Sequence, residues 1–269
     1  MNIIKVTTLA ENSVKSRGLY AERGLSILIE ANSKLILFDT GASDLFINNA
    51  KVLGKKIEDV DYLILSHGHS DHTGGLKSFL NLNTKAQIIC KREILTPKFR
   101  GNRENGICDI ENIDLSRFIF IDKITEVTKD IFVIPNIKII NKNDTHFSDF
   151  ELKTKGDRVP DIFDDELFIV INKDDKISLL SACSHRGITN IVSSAREHFP
   201  LQKIKYLVGG FHLVDSSPID TQNIIEYLKS DIPESIGVCH CTGLDSYSIF
   251  KNKFKDKVFY NYCGTELYL

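Results

Sequence analysis

The stretch LILSHGHSDHTGG, residues 63–75, decides how this chain is read. The apolar run before it, DVDYLILS over 59–66, has the length and composition of a buried strand. Four metal-type donors follow within six residues: His67, His69, Asp71 and His72. Imidazole nitrogen and carboxylate oxygen suit zinc and related divalent ions. Gly68 and Ser70 leave the backbone free to turn, so His67 and His69 aim at one point while Asp71 and His72 face a second. Thr73-Gly74-Gly75 then allows a tight approach to the next helix. A polar loop of solvated histidines is the bland alternative, and the density of donors argues against it.

On either side, strand-like and helix-like segments alternate. LSILIEAN (25–32) and SKLILFDTG (33–41) read as a hairpin around a short polar turn. DLFINNAKVLGK (44–55) has helical spacing and closes near Gly54, GGLKSFLNL (74–82) reads as a helix, and AQIICK (86–91) as a strand. Residues 166–183 read as a second hairpin around Lys-Asp-Asp. Helices at 189–199, 218–230 and 246–254 then alternate with strands at 203–213, 235–243 and 257–269. Two stretches lack a clear period, 92–130 and 141–165, and read as lid or insertion segments or as irregular connections. The expectation is α/β layering in a single domain, 1–269, made of two α/β halves.

Composition excludes several classes. Of 269 residues, 42% are hydrophobic and 26% charged, which is globular. The 34 basic and 36 acidic residues give a net charge of -2, without the basic field that nucleic-acid binding needs. No apolar run approaches the roughly 20 residues of a membrane span. The start, MNIIKVTTLAENS, lacks the basic-then-apolar pattern of a secretory signal, so a cytoplasmic protein is expected. The six cysteines lack the spacing of a disulfide scaffold and are expected to be reduced.

HGHSDH matches the His-x-His-x-Asp-His signature, and the chain thereby resembles the metallo-β-lactamase superfamily. FDTG (38–41), the HGHSDH loop and the later strand-end histidines come in the order that family shows. SACSHRGITN (181–190), VGGFHL (208–213) and HCTG (240–243) are similar to motifs of one branch. Its members carry the label dihydropterin or ribofuranosylaminobenzene-phosphate synthase-like. The resemblance implies an αββα sandwich with a dinuclear metal site at one edge of two sheets. It implies two divalent ions, zinc first and iron or manganese as alternatives, with His67, His69, Asp71, His72, His185 and His240 as ligands. A metal-bridged hydroxide would attack a small ester, lactone, thioester or phosphodiester. Asp71 would also hold or shuttle a proton.

The remaining residues divide by setting. His212, at another strand end, is either a ligand or a catalytic residue that moves protons or touches substrate. Asp39 is expected to hold an imidazole in its tautomer. Cys239 and Cys241 flank His240 and read as small packing residues rather than thiolate ligands. Cys183 stands where many relatives carry a bridging aspartate. His185 is nevertheless expected to be the ligand there, and Cys183 to be packing. His146 and His198 read as structural or surface residues, and Asp164-Asp165-Glu166 as a solvated turn by default, with one carboxylate as the alternative support for the site.

Two other reaction classes compete. The branch label suggests pterin-linked or phosphoribosyl transfer, for which Arg92, Arg100, Arg103, Arg158 and Arg186 are available. A di-iron oxidoreductase is disfavoured because such relatives carry Glu where this chain has His69. A regulatory module or a nuclease fits the intact loop and the charge less well. The expected partner is a small molecule, not nucleic acid or membrane.

Overall fold

The β-rich runs at 25–32 and 33–41 fold as a hairpin, Ser26–Ala31 against Lys34–Phe38. Asn32 and Ser33 both take the left-handed backbone that a two-residue primed turn requires. In this computed structural model, which describes residues 3–269, the hairpin belongs to the first of two units. That unit takes the chain up to Asp122, then Phe147–Asp165 and Tyr262–Leu269; the second takes Lys123–His146 and Glu166–Asn261.

The main sheet of the first unit has seven strands. Their order is Glu266–Tyr268, Lys5–Ala10, Ser26–Ala31, Lys34–Phe38, Tyr62–Ile64, Gln87–Cys90 and Phe118–Phe120. The last four run parallel, so the loops after Phe38 and Ile64 leave at the same sheet edge. Open α/β sheets hold ligands at the carboxyl ends of such strands. The helices Leu45–Val52 and Leu76–Leu82 bury Phe46, Ala50, Leu76 and Phe79 in one core with Leu37, Leu63 and Ile88.

The second unit repeats this logic. Its seven-stranded sheet runs Val258–Tyr260, Ser235–Val238, Lys203–Gly209, Lys176–Ser181, Phe168–Lys173, Ile131–Ile134 and Thr125–Thr128. The first four strands are parallel, and the loops after Ser181, Gly209 and Val238 again share an edge. The helices Ile188–His198, Pro218–Lys229 and Leu244–Phe254 supply Ile191, Val192, Ile225, Leu228 and Phe250 to a second core. Pro218–Lys229 starts with a complete capping box, Ser217 with Asp220, and Pro218 in its first turn. The turn of the 166–183 hairpin is Asp174-Asp175, both left-handed. Two sheets with their helices make up the α/β architecture expected. Among the described residues no helix is long and apolar enough to cross a membrane.

The structure corrects two expectations and adds one strand on which the sequence reading was silent. Residues 257–269 are not one strand: Val258–Tyr260 joins the second unit's sheet and Glu266–Tyr268 the first's, with Gly264 left-handed between them. Lys5–Ala10, whose paired Thr7 and Thr8 blur any alternation, is a strand buried over five of its six residues. The stretches 92–130 and 141–165 are not structureless. They form a four-stranded antiparallel sheet, Asp157–Pro160, Phe150–Thr154, Lys98–Arg100 and Arg103–Glu104. Strands this short offer too few side chains to display a period.

Phe79 is fully buried in the first core. Phe79→Ala is expected to lower stability by about 3–5 kcal/mol, read as a lowered urea midpoint with unchanged slope.

Candidate metal centre

The donors of the first unit sit where two parallel strands end. Asp39 follows Phe38 and, although not glycine, has a left-handed backbone with φ 60°. Its fully buried carboxylate faces the neighbouring strand end. Asp39 Oδ1 accepts the Ser66 backbone N–H at 2.7 Å, and Oδ2 accepts the Ser66 hydroxyl at 2.6 Å and His72 Nδ1–H at 2.8 Å. Because the Ser66 hydroxyl proton goes to Asp39, its oxygen accepts Nδ1–H of His67 at 2.9 Å. One carboxylate thus fixes two imidazoles with Nδ1 protonated and Nε2 carrying the lone pair, the form a metal ligand takes. The expected role of Asp39 is met and extended through Ser66.

His69 lies at the N-terminus of the short helix Ser70–Thr73, and its carbonyl accepts the N–H of both His72 and Thr73. The ring of His67 lies 4.8 Å from that of His69 and 4.3 Å from that of His72, centroid to centroid. Asp71 Oδ1 is 4.0 Å from His72 Nε2, and its side chain is 23% exposed. Burial, then the neighbouring imidazoles His72 and His69, holds the His67 pKa well below its ordinary value. Burial pushes His69 down to about 3, against the opposing pull of Asp71. Both imidazoles are therefore neutral, as metal binding requires.

In the second unit three motif loops leave adjacent parallel strands. His185 follows Ser181, His212 follows Gly209, and His240 follows Val238. The rings of His185 and His212 are 4.2 Å apart. Cys183 Sγ, a ring nitrogen of His212 and Cys241 Sγ all lie within 4.8 Å of one another. Cys183 and Cys241 therefore sit among donor groups, whereas Cys239 packs beside Asn261. Gly209 is required here, since a Cβ would fall 1.9 Å from the Ser181 carbonyl oxygen. Ser184, His212 and His240 all have left-handed backbones, with φ of 54°, 51° and 51°. Such conformations cost on the order of 1–3 kcal/mol each and gather at functional sites.

His146, read from sequence as structural or surface, is part of this cluster. Its N–H donates to the His185 carbonyl at 2.8 Å, its own carbonyl lies 3.2 Å from His185 Nδ1, and its ring is 5.4 Å from that of His212. His185 thus has its Nδ1 anchored like His67 and His72. No sequence pattern surrounds His146 to signal this. His198 is exposed at a helix C-terminus, as expected.

Of the acidic run, Asp164 is exposed as a solvated turn would have it, whereas two carboxylates, not one, support the histidine loops. Asp165 is buried, and its Oδ2 accepts the Gly68 N–H at 2.7 Å, inside the histidine loop of the first unit. Glu166, also buried, accepts the N–H of His185 and of Arg186 at 2.7 Å each in the second unit. Sequence reasoning missed Lys98. It lies in a short strand between Pro97 and Phe99, yet its ammonium is buried 2.8 Å from Asp161 and 3.0 Å from Asp165. Burial opposes that charge, but the two carboxylates outweigh it and raise the Lys98 pKa.

Residues 19–107 match the family model described as the metallo-β-lactamase superfamily. An uncharacterized protein of Methanocaldococcus jannaschii is 32% identical over 245 residues, 88% of this chain and 90% of that one. A 7,8-dihydropterin-6-methyl-4-(β-D-ribofuranosyl)-aminobenzene-5'-phosphate synthase of the same organism is 29% identical, covering 94% and 92%. The crystal structure of a metal-dependent hydrolase of the β-lactamase superfamily superposes with a TM-score of 0.88 at 33% identity, covering 98% of each chain.

The neutral imidazoles set the acid limb of stability. The unfolded chain binds their protons below about pH 6.5, while folded His67 and His69 do not. The unfolded state then holds more protons, so stability falls as pH falls through that value. Metal-free protein in chelator is expected to lose up to about 1.4 kcal/mol per pH unit per histidine between pH 6.5 and 5. Urea unfolding at each pH checks this, and a flat profile contradicts it.

Proposed function

The chain belongs to the metallo-β-lactamase superfamily, and from that premise we propose that it is a metal-dependent hydrolase of a small ester, lactone, thioester or phosphodiester. The observation that carries this reading is the anchoring of Nδ1 in His67, His72 and His185, which leaves Nε2 as the lone-pair nitrogen of each buried ring. The donors we assign to two divalent ions are His67, His69, Asp71, His72, His185 and His240. Histidine and carboxylate together suit zinc first, then iron or manganese.

Divalent metal bound by such donors lowers the pKa of water toward neutrality and polarises a carbonyl or phosphoryl oxygen. The chain's own groups supply the rest. Asp39 holds the imidazoles in register, directly at His72 and through Ser66 at His67. Asp71, partly exposed in the first turn of its helix, is the side chain we assign to accepting a proton from the attacking water and releasing it. His212, beside His185, is the side chain we assign to protonating the leaving group. We place the work in a reducing, cytoplasmic setting, consistent with six cysteines present as thiols.

A second reading is favoured by the relative named as a synthase, which matches 94% of this chain. The same donors would then act on a pterin-linked or phosphoribosyl substrate. Arg100 suits its phosphate: the guanidinium lies 5.2 Å over the Phe150 ring, which is 4.8 Å from the ring of His69. A panel of ester, lactone, thioester and phosphodiester substrates, run beside trapping of a phosphoribosyl product, separates the two.

Elemental analysis is expected to find about two divalent ions per chain. His185→Ala should lose at least one ion and most activity, while Cys183→Ala keeps both. The reverse pattern would establish a thiolate ligand, and a metal-free protein that zinc, manganese and iron all fail to stabilise would sink the reading. Asp71→Ala should lower turnover by about 10²–10⁴-fold while shifting stability by less than about 1 kcal/mol. Undiminished turnover in that variant would overturn the proton-transfer role.

A further inference from the structure

Lys98 and its two carboxylates are built with a symmetry that separates two tasks. Asp161 Oδ2 and Asp165 Oδ1 both take the Lys98 ammonium, at 2.8 and 3.0 Å. Their other oxygens each accept one backbone N–H at 2.7 Å: Asp161 that of Phe163, and Asp165 that of Gly68. Gly68 is the residue between His67 and His69. A Cβ there would fall 2.8 Å from Lys98 Cε and 2.9 Å from the Ile94 carbonyl oxygen, so loop and lysine are in close contact. The strand that carries Lys98 holds the loop at a second point as well. Asn105 N–H donates to the Lys98 carbonyl, and Asn105 in turn accepts the Ser70 N–H at 2.9 Å and the Ser70 hydroxyl at 3.1 Å.

We propose that Lys98 and Asp165 are positioning residues for the metal loop: the buried ammonium fixes Asp165, and Asp165 fixes the Gly68 backbone so that His67 and His69 keep the geometry that binds metal. The inference rests on the proposed metal-dependent reading. A carboxylate can serve the ammonium and the N–H together because it has two acceptor oxygens. An amide has one, so an asparagine must abandon either Lys98 or the backbone. Asp161 has the same two kinds of partner, but the N–H it accepts is that of Phe163, whose ring lies 5.1 Å from the ring of His69, and not one of the histidine loop's own backbone groups. It is therefore the matched control.

The test compares Asp165→Asn, Asp161→Asn and the parent chain in two measurements. One is thermal melting of the metal-free proteins; the other is zinc affinity by competition with a chromogenic chelator. Both variants are expected to melt lower than the parent by similar amounts. Zinc affinity should fall about 10–100-fold in Asp165→Asn, the range typical for groups that orient metal ligands, and stay within about threefold in Asp161→Asn. Equal loss in both variants, or no loss in Asp165→Asn, would falsify the positioning role. If Asp165→Asn does not fold, Lys98→Gln replaces it, with a donor left between the carboxylates. Its zinc affinity should fall at least about threefold, and an unchanged affinity overturns the proposal. A parent chain that binds no zinc, manganese or iron fails the underlying metal-dependent reading instead, so the two failures are told apart.

Discussion

The Asp39 carboxylate is the constraint on which the rest of the first unit's histidine cluster depends. It is fully buried and accepts three donors: two from Ser66 and one from His72. Its location follows from topology. Asp39 N–H bonds the Ile64 carbonyl, so the residue after one parallel strand is stitched to the end of the next. Isolated, that carboxylate would carry a heavy desolvation penalty. The three hydrogen bonds offset it, and they also decide which nitrogen of two imidazoles holds the proton. A neutral group of similar size could not do both tasks, because it lacks the acceptor capacity.

The second unit reaches a similar result by other means. His185 has its Nδ1 against a backbone carbonyl, that of His146, instead of a carboxylate. The negative group there, Glu166, holds the loop backbone through two N–H groups. Strain is concentrated in the same places. Asp39, Ser184, His212 and His240 hold left-handed backbones without being glycine, and all lie just after strands of a parallel set. Neighbouring strand ends hold them there, as when Gly209 passes so close to Ser181 that no side chain fits. Rigid sheets thus fix side chains that a free loop would release.

Most of the layering was legible in the sequence because the central strands are long apolar runs bounded by turn residues. HGHSDH stood out by the density of its donor residues alone. The misses share a physical cause: a charged residue is assumed to be solvated unless its partners are visible, and the partners here are distant. Lys98 meets acids 63 and 67 positions away, and Asp165 meets Gly68 97 positions away. Their partnerships come from the tertiary fold and leave no local period. The four-stranded sheet was missed for a related reason, since its strands run from two to five residues. His146 owes its place to backbone bonds with His185, 39 positions on, which no side-chain pattern encodes.

Asp165 and Glu166 are consecutive, yet one braces the histidine loop of the first unit and the other that of the second. This makes the peptide between them intolerant of a change of length. The turn at Gly156 has open space around it and can absorb an inserted residue. A residue inserted between 165 and 166 would withdraw one carboxylate from its backbone partners and strand a buried charge. Drift in chain length among descendants of this protein should therefore accumulate in the hairpin 150–160 and stop short of this dipeptide. Tags, circular permutations and domain fusions meet the same boundary.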